Sequence, residues 1–192
     1  MSTTSARLYT YTHTASPSLD PFVAASTSLL AQPPYKHLNN LCVGAFIFRG
    51  SPTSRQILLL RRAATEPSFP SLWEVPGGGC EATDLSVLDT VAREVQEETG
   101  LTVARIGEFL GFVEFEGRTG SRWGKANFVV EVVPGTESEV RVDPNEHGES
   151  GWFSEADCRS VEFTTELHRA CVMQAFARVG GRVGGGGVVD GV

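Results

Sequence analysis

The strongest constraint on how this chain folds lies in residues 72–101, where its character changes twice. Pro76 is followed by Gly77, Gly78 and Gly79, a run that excludes regular structure and lets backbone N–H and C=O groups come close to a ligand. From Ser86 to Thr99 the pattern turns helical: Val87, Leu88, Val91, Ala92 and Val95 form one apolar stripe, and Gly100 stops the helix. Beside that stripe, Glu94, Glu97 and Glu98 fall within an arc of roughly 100° at 3.6 residues per turn. Glu97 and Glu98 sit at the negative end of the helix dipole, where each acid costs about 0.3–1 kcal/mol. Glu94 and Glu98, four apart, repel by a few tenths of a kcal/mol more. Arg93 alone cannot balance three acids. A solvated acidic face would explain a charge run, but such a helix would favour Lys or Arg at this end. Clustered oxygen ligands that repel one another are what a Mg²⁺ or Mn²⁺ site requires. The glycine loop, at Gly78, can add a backbone carbonyl to the same ion.

Around this segment the chain reads as one domain with terminal extensions, since 192 residues leave little room for two. With 41% hydrophobic and 20% charged residues it is globular in composition. Residues 1–17 read as a disordered leader and 18–39 as an N-terminal helix and linker. Ser18 caps that helix, Asp20 and Pro21 occupy its first turn, and Pro33 and Pro34 end it. Strands are expected at 41–48 and 56–61, at 103–116 and 123–133 around a turn at 117–121, and at Trp152–Phe153 after a polar loop. A last helix runs over 164–178, and the glycine-rich residues 179–192 read as a flexible tail. The mixture is α+β: a mixed β-sheet with helices on its faces.

The formal charge of −7 gives no general footprint for duplex nucleic acid or an anionic membrane. No apolar run approaches the ~20 residues of a membrane span. Cys42, Cys80, Cys158 and Cys171 are scattered and form no CxxC pair, so they read as reduced thiols in a cytoplasmic protein. A mitochondrial reading of the leader rests on Arg7 alone.

The stretch WEVPGG, followed by a helix ending REVQEETGL, resembles the signature of the Nudix (MutT-like) hydrolases. That pattern runs Gly, five residues, Glu, seven residues, then Arg-Glu-aliphatic-x-Glu-Glu-x-Gly-aliphatic. The second half is complete here in Arg93, Glu94, Val95, Glu97, Glu98, Gly100 and Leu101. The first half departs from it. Counting back from Arg93 puts Leu85 at the glutamate and Gly79 at the glycine; counting forward from Gly78 puts Asp84 there, with one extra residue before Arg93. The second alignment is preferred because Asp84 keeps a carboxylate, and it leaves open which group orients Arg93.

The resemblance implies a Nudix-type α/β/α sandwich over residues 40–178. It implies cleavage of the pyrophosphate bond of a nucleoside diphosphate linked to another group, by water and Mg²⁺ or Mn²⁺. Glu94, Glu97 and Glu98 would hold the metal, with Arg93 in the catalytic set. Glu94 or Glu97 would be the general base, with Glu146 and Glu149 of NEHGES as rivals that also rank as substrate contacts. Arg62, or its neighbour Arg61, would pair with phosphate, and Trp73 would stack on a base. Lys125 and His147 carry less weight. The partner is a small nucleoside diphosphate derivative; neither its identity nor the oligomeric state is legible. The alternative is a catalytically inactive Nudix-like domain that binds a nucleotide or a protein.

Overall fold

Two apolar runs near the start of the domain set its frame, and their alternating side chains decide which helix lies on which face. The computed structural model describes residues 9–181, so expectations for 1–8 and 182–192 lie outside the described residues. The strands are β1 (Thr12–His13), β2 (Asn40–Arg49), β3 (Gln56–Arg62), β4 (Trp73–Glu74), β5 (Val103–Glu116), β6 (Arg122–Val132) and β7 (His147–Ser154). The α-helices are α1 (Ser26–Leu30), α2 (Val87–Thr99), α3 (Glu155–Cys158) and α4 (Glu166–Gly180).

Successive strand residues point to opposite faces. Leu41, Val43, Ala45 and Ile47 of β2 and Leu58 and Leu60 of β3 therefore pack with Val87, Leu88, Val91, Ala92 and Val95 of α2. Phe46 of β2 and Ile57 and Leu59 of β3 face the other way, onto Val172, Ala175 and Phe176 of α4. Because both faces are covered, the strands read as continuous apolar runs rather than as alternation. The result is the α/β/α sandwich expected from the sequence.

The strand order is β1-β5-β6-β2-β3-β4, with β7 paired to β3. β2 runs parallel to β6 from Asn40↔Trp123 to Ile47↔Val130, whereas β5 and β6 form an antiparallel hairpin. β2 and β3 pair only at Phe48↔Ile57 and Arg49↔Gln56 and then diverge. The glycine run fills the gap. Ala45 N–H donates to the Pro76 carbonyl (2.8 Å), Val43 N–H to that of Gly78 (2.9 Å), and Cys80 N–H to that of Leu41 (2.9 Å). Gly77 has φ +148, and a Cβ there would lie 2.2 Å from the Val43 carbonyl oxygen, so the approach requires glycine.

Four expectations need correction. The N-terminal helix is two pieces, a 3₁₀ turn at Asp20–Val23 and α1, and Ser18 does not cap it; Leu19 holds that position with no side-chain bond. The break is compensated, because extended Ala24 offers its carbonyl to the N–H of Val87, in the first turn of α2. Within the stretch read as a disordered leader, β1 pairs in parallel with Arg105 and Ile106, and the Tyr11 hydroxyl donates to Asp89 at 3.0 Å. β7 begins at His147, five residues before the expected strand, because it pairs along β3 from Arg62↔His147 to Gln56↔Ser154. The last helix starts at Glu166, capped by Thr165, and continues to Gly180, into the stretch read as tail. Among the described residues no helix is long and apolar enough to cross a membrane. Cys42, Cys80, Cys158 and Cys171 are all free.

Candidate active site

Helix α2 is held at both ends by its sequence. The Ser86 hydroxyl accepts from Asp89 N–H (3.0 Å), and Gly100, at φ +71, closes the C-terminus with a bond to the Gln96 carbonyl (2.9 Å). With the apolar stripe buried, Glu94, Glu97 and Glu98 all face one cavity of about 640 Å³. The glycine run forms one wall, and Arg62, Glu66, Glu81, Asp143 and Glu146 complete a lining of seven carboxylates against two guanidinium groups.

Arg93, also nearly buried, organises the acids. Its Nε and Nη2 donate to the two oxygens of Asp84 at 3.0 and 3.1 Å. Its Nη1 donates to Glu94 (2.9 Å) and Glu97 (3.0 Å), and Nη2 reaches the Gly79 carbonyl (2.8 Å). Burial works against its charge, but Asp84, Glu94 and Glu97 hold it protonated. Asp84 therefore does occupy the position that orients Arg93, while Leu85 is 53% exposed. Burial opposes ionisation of Asp84 too, and its bonds from Arg93, Glu81 N–H and Thr90 outweigh this and lower its pKa.

Glu94 and Glu98 lie in the opposite situation. Burial pushes the Glu94 pKa up to about 7 against the pull of Arg93, with Glu97 and Glu146 adding to the rise. Burial also holds Glu98 well above the carboxylate range, opposed by the Gly77 N–H that it accepts at 2.7 Å and reinforced by Glu94, Glu74 and Glu146. Gly78 makes room for this cluster, since a Cβ there would lie 2.6 Å from a Glu94 oxygen. Its own carbonyl is engaged by Val43. Glu97 is about half exposed at the mouth.

Two further residues, Glu74 and His147, adjoin Arg62. Glu74 on β4 accepts from Arg62 at 2.7 Å and from His147 Nε2 at 3.4 Å. Burial alone would raise the Glu74 pKa; the His147 bond and the charges of Lys125 and Arg62 bring it down to about 2. His147 is 1% exposed, and its Nδ1 has no hydrogen-bond partner among the described residues. The sequence had offered no reason to weigh Glu74, although an acid between Trp73 and Val75 on a half-buried strand is itself a signal of a paired charge.

Glu146 and Arg62 line the cavity, whereas Trp73 and Glu149 do not. Trp73, half-buried, packs edge-on against Phe153, ring centroids 4.7 Å apart, against the core beneath α4. Glu149 lies on the β7 edge, where it pairs with Arg61 at 3.4 Å in solvent. Lys125 lines a second cavity of about 320 Å³ together with Glu74, Asn127, Phe69, Phe115 and Leu167. The last three are exposed apolar side chains at its rim.

The residues present suit a divalent cation. A His147 nitrogen and carboxylate oxygens of Glu98 and Glu146 lie within 4.8 Å of one another, and the buried Nδ1 lacks a partner. Glu94 and Glu98, whose ionisation is disfavoured by burial and mutual repulsion, are relieved by a bound positive charge.

Comparison with known proteins is consistent with this geometry. The family model described as "NUDIX domain" matches residues 38–176. The m7GpppN-mRNA hydrolase NUDT17 of Danio rerio is 45% identical over 51 residues, which is 27% of this chain and 17% of that protein. The RNA pyrophosphohydrolase of Agrobacterium fabrum (strain C58) is 31% identical over 108 residues, covering 51% of this chain and 63% of that protein. The chain thus spans less than two thirds of either relative. Among solved structures, the MutT protein from Methanosarcina mazei Go1 is 31% identical with a TM-score of 0.58, covering 73% of this chain and 94% of that one.

Proposed function

Because the chain belongs to the NUDIX domain family, we propose that it is a Mg²⁺- or Mn²⁺-dependent hydrolase that cleaves the pyrophosphate bond of a nucleoside diphosphate linked to another group. One observation carries this reading: Glu94, Glu97, Glu98 and Glu146 converge on one cleft beside the glycine run. Glu94 and Glu98, with Glu97 at the mouth, would hold the cation. When bound, it supplies the positive charge that lets a pyrophosphate enter an acidic cleft and polarises the phosphoryl oxygen.

The chain's own groups divide the remaining work. Arg93 fixes Glu94 and Glu97 relative to the glycine loop. Glu94 or Glu97, both held by Arg93 at the cleft, is placed to take a proton from an attacking water. Arg62 stands at the cleft wall, where it can meet a phosphate oxygen. The second cavity, with its apolar rim and the Asn127 amide, suits the nucleoside end, and it adjoins the cleft through Glu74. The inactive-domain alternative drew on the irregular first half of the motif, and the pairing of Asp84 with Arg93 supports the enzyme reading over it. The four free thiols support a cytoplasmic location.

A phosphate-release screen, coupled to an added phosphatase, tests the reading across nucleoside diphosphate derivatives with Mg²⁺ and Mn²⁺. Because the two curated relatives bear the names of an mRNA hydrolase and an RNA pyrophosphohydrolase, m7GpppN-capped and triphosphorylated RNA belong in the same screen. Turnover of a small nucleotide that falls roughly a hundredfold or more in Glu98→Gln is expected. Nucleotide binding without turnover under any condition would instead identify a binding domain.

A further inference from the structure

We propose that the rings of Phe69 and Phe115 are the stacking surface for the nucleobase of the substrate, and that the loop carrying Phe69 is held in place from the acidic cleft. The inference deepens the proposed function and rests on that cleft taking the diphosphate. Its basis is where the exposed apolar side chains lie. Six large ones are exposed among the described residues, and three of them, Phe69, Phe115 and Leu167, line the second cavity. Apolar side chains scattered singly need no explanation, but three brought from a loop, a hairpin and a helix to one rim mark a binding surface. At about 320 Å³ the cavity is near the lower end of small-molecule sites, which suits one nucleoside.

Both rings are held by the fold. Phe69 has φ +52, a left-handed conformation that a bulky side chain rarely adopts and that persists only where the surroundings impose it. Here they do. Arg62, which lines the acidic cleft, donates from Nε to the Ser68 carbonyl at 2.7 Å, and Arg118 of the hairpin turn reaches Ser68 Oγ at 3.3 Å. Arg61 Nε donates to the Ser71 carbonyl at 2.9 Å on the other side of Phe69. Phe115 lies nearly parallel to Trp123, at 15° between ring planes and 6.2 Å between centroids. Gly117 lets the indole settle on the turn, since a Cβ there would lie 2.7 Å from Trp123 Nε1. Asn127, also in the lining, is 4% exposed, and its Nδ2 meets only the Cys171 sulfur at 4.0 Å. Sulfur is a weak acceptor, so the amide keeps capacity for a base edge. Glu74 lines the cavity as well and accepts from Arg62, so one arginine ties the diphosphate end to the loop that carries Phe69.

Calorimetric titration of the full chain with analogues that carry P–C–P in place of P–O–P tests this without turnover. The probes are methylenediphosphonate and the adenosine, guanosine, cytidine and uridine α,β-methylene diphosphates, each with Mn²⁺. Wild type is expected to bind at least one of these nucleotides about tenfold or more tightly than methylenediphosphonate, the gain that stacking on an aromatic ring supplies. In Phe69→Gly, and separately in Phe115→Ala, that advantage should fall about tenfold while methylenediphosphonate affinity stays the same, and Phe69→Tyr should retain it. Glycine accepts the left-handed conformation, so the melting temperature of Phe69→Gly should not fall and its weaker binding is not a folding defect. No nucleotide bound more tightly than methylenediphosphonate, or an advantage that survives either substitution, overturns the stacking surface and leaves the cleft a diphosphate site. No binding of any probe by wild type overturns the cleft reading itself.

Discussion

Two adjacent glycines of the loop are required for different reasons, and alanine at each should fail differently. At Gly77 a Cβ meets the backbone carbonyl of Val43 at 2.2 Å, and φ is +148, so neither contact nor conformation can relax cheaply. Gly77→Ala should cost roughly 2–3 kcal/mol in urea unfolding. At Gly78 the obstacle is the end of the Glu94 side chain, which can swing aside. Gly78→Ala should therefore keep nearly native stability while cation affinity, measured by calorimetric titration, drops about tenfold or more. Equal losses of stability in the two variants would contradict this division. The same scale separates the two readings of the motif's first half. Removing the partner of a buried Arg93 in Asp84→Ala should cost roughly 3 kcal/mol, whereas Leu85→Ala, at an exposed site, should stay within about 0.5 kcal/mol. The sequence supplied the preference for Asp84 from charge alone. It could not supply Glu74 or His147 as a pair, because they meet only when β4 and β7 pair on either side of β3.

Among the elements, α4 does more than cover the sheet. Val75 N–H donates to His168 Nε2 at 3.2 Å, and the Thr164 hydroxyl lies 3.0 Å from Nδ1, so a helix remote in sequence pins the strand that enters the glycine run. Burial, with Lys125 adding to it, pushes the His168 pKa down to about 3. The unfolded chain takes up this proton near its ordinary value of 6.5, and the folded protein resists until about 3. The stability contribution is therefore full above pH 6.5 and is lost progressively as pH falls towards 3. His168→Gln should flatten that acid-side decline in thermal melts across this window; an unchanged decline would assign it to other groups. Helix α2 and the β5–β6 hairpin were legible from local signals, namely Ser86, Gly100 and the turn at 117–121. The short β1, the break at Ala24 and the first half of β7 were not, because each is stabilised by a partner far away in the chain. Nothing in the polar residues 147–151 suggests a strand until β3 lies beside them.

For the molecule as a whole, the divergence of β2 from β3 admits the glycine run beside β2. The outer side of that run and α2 line the acidic cleft, so folding itself brings the acids together. A cation that binds only this folded arrangement must stabilise it, by about 2.7 kcal/mol at a hundredfold excess over its dissociation constant. Millimolar Mn²⁺ or Mg²⁺ should thus raise the melting temperature by several degrees in the wild type and by much less in Glu98→Gln. The most direct measurement is an anomalous difference map from crystals grown with Mn²⁺. The account predicts a peak inside the cleft within bonding distance of carboxylate oxygens from Glu94 or Glu98; Mn²⁺ found only elsewhere, with those side chains unliganded, would contradict it.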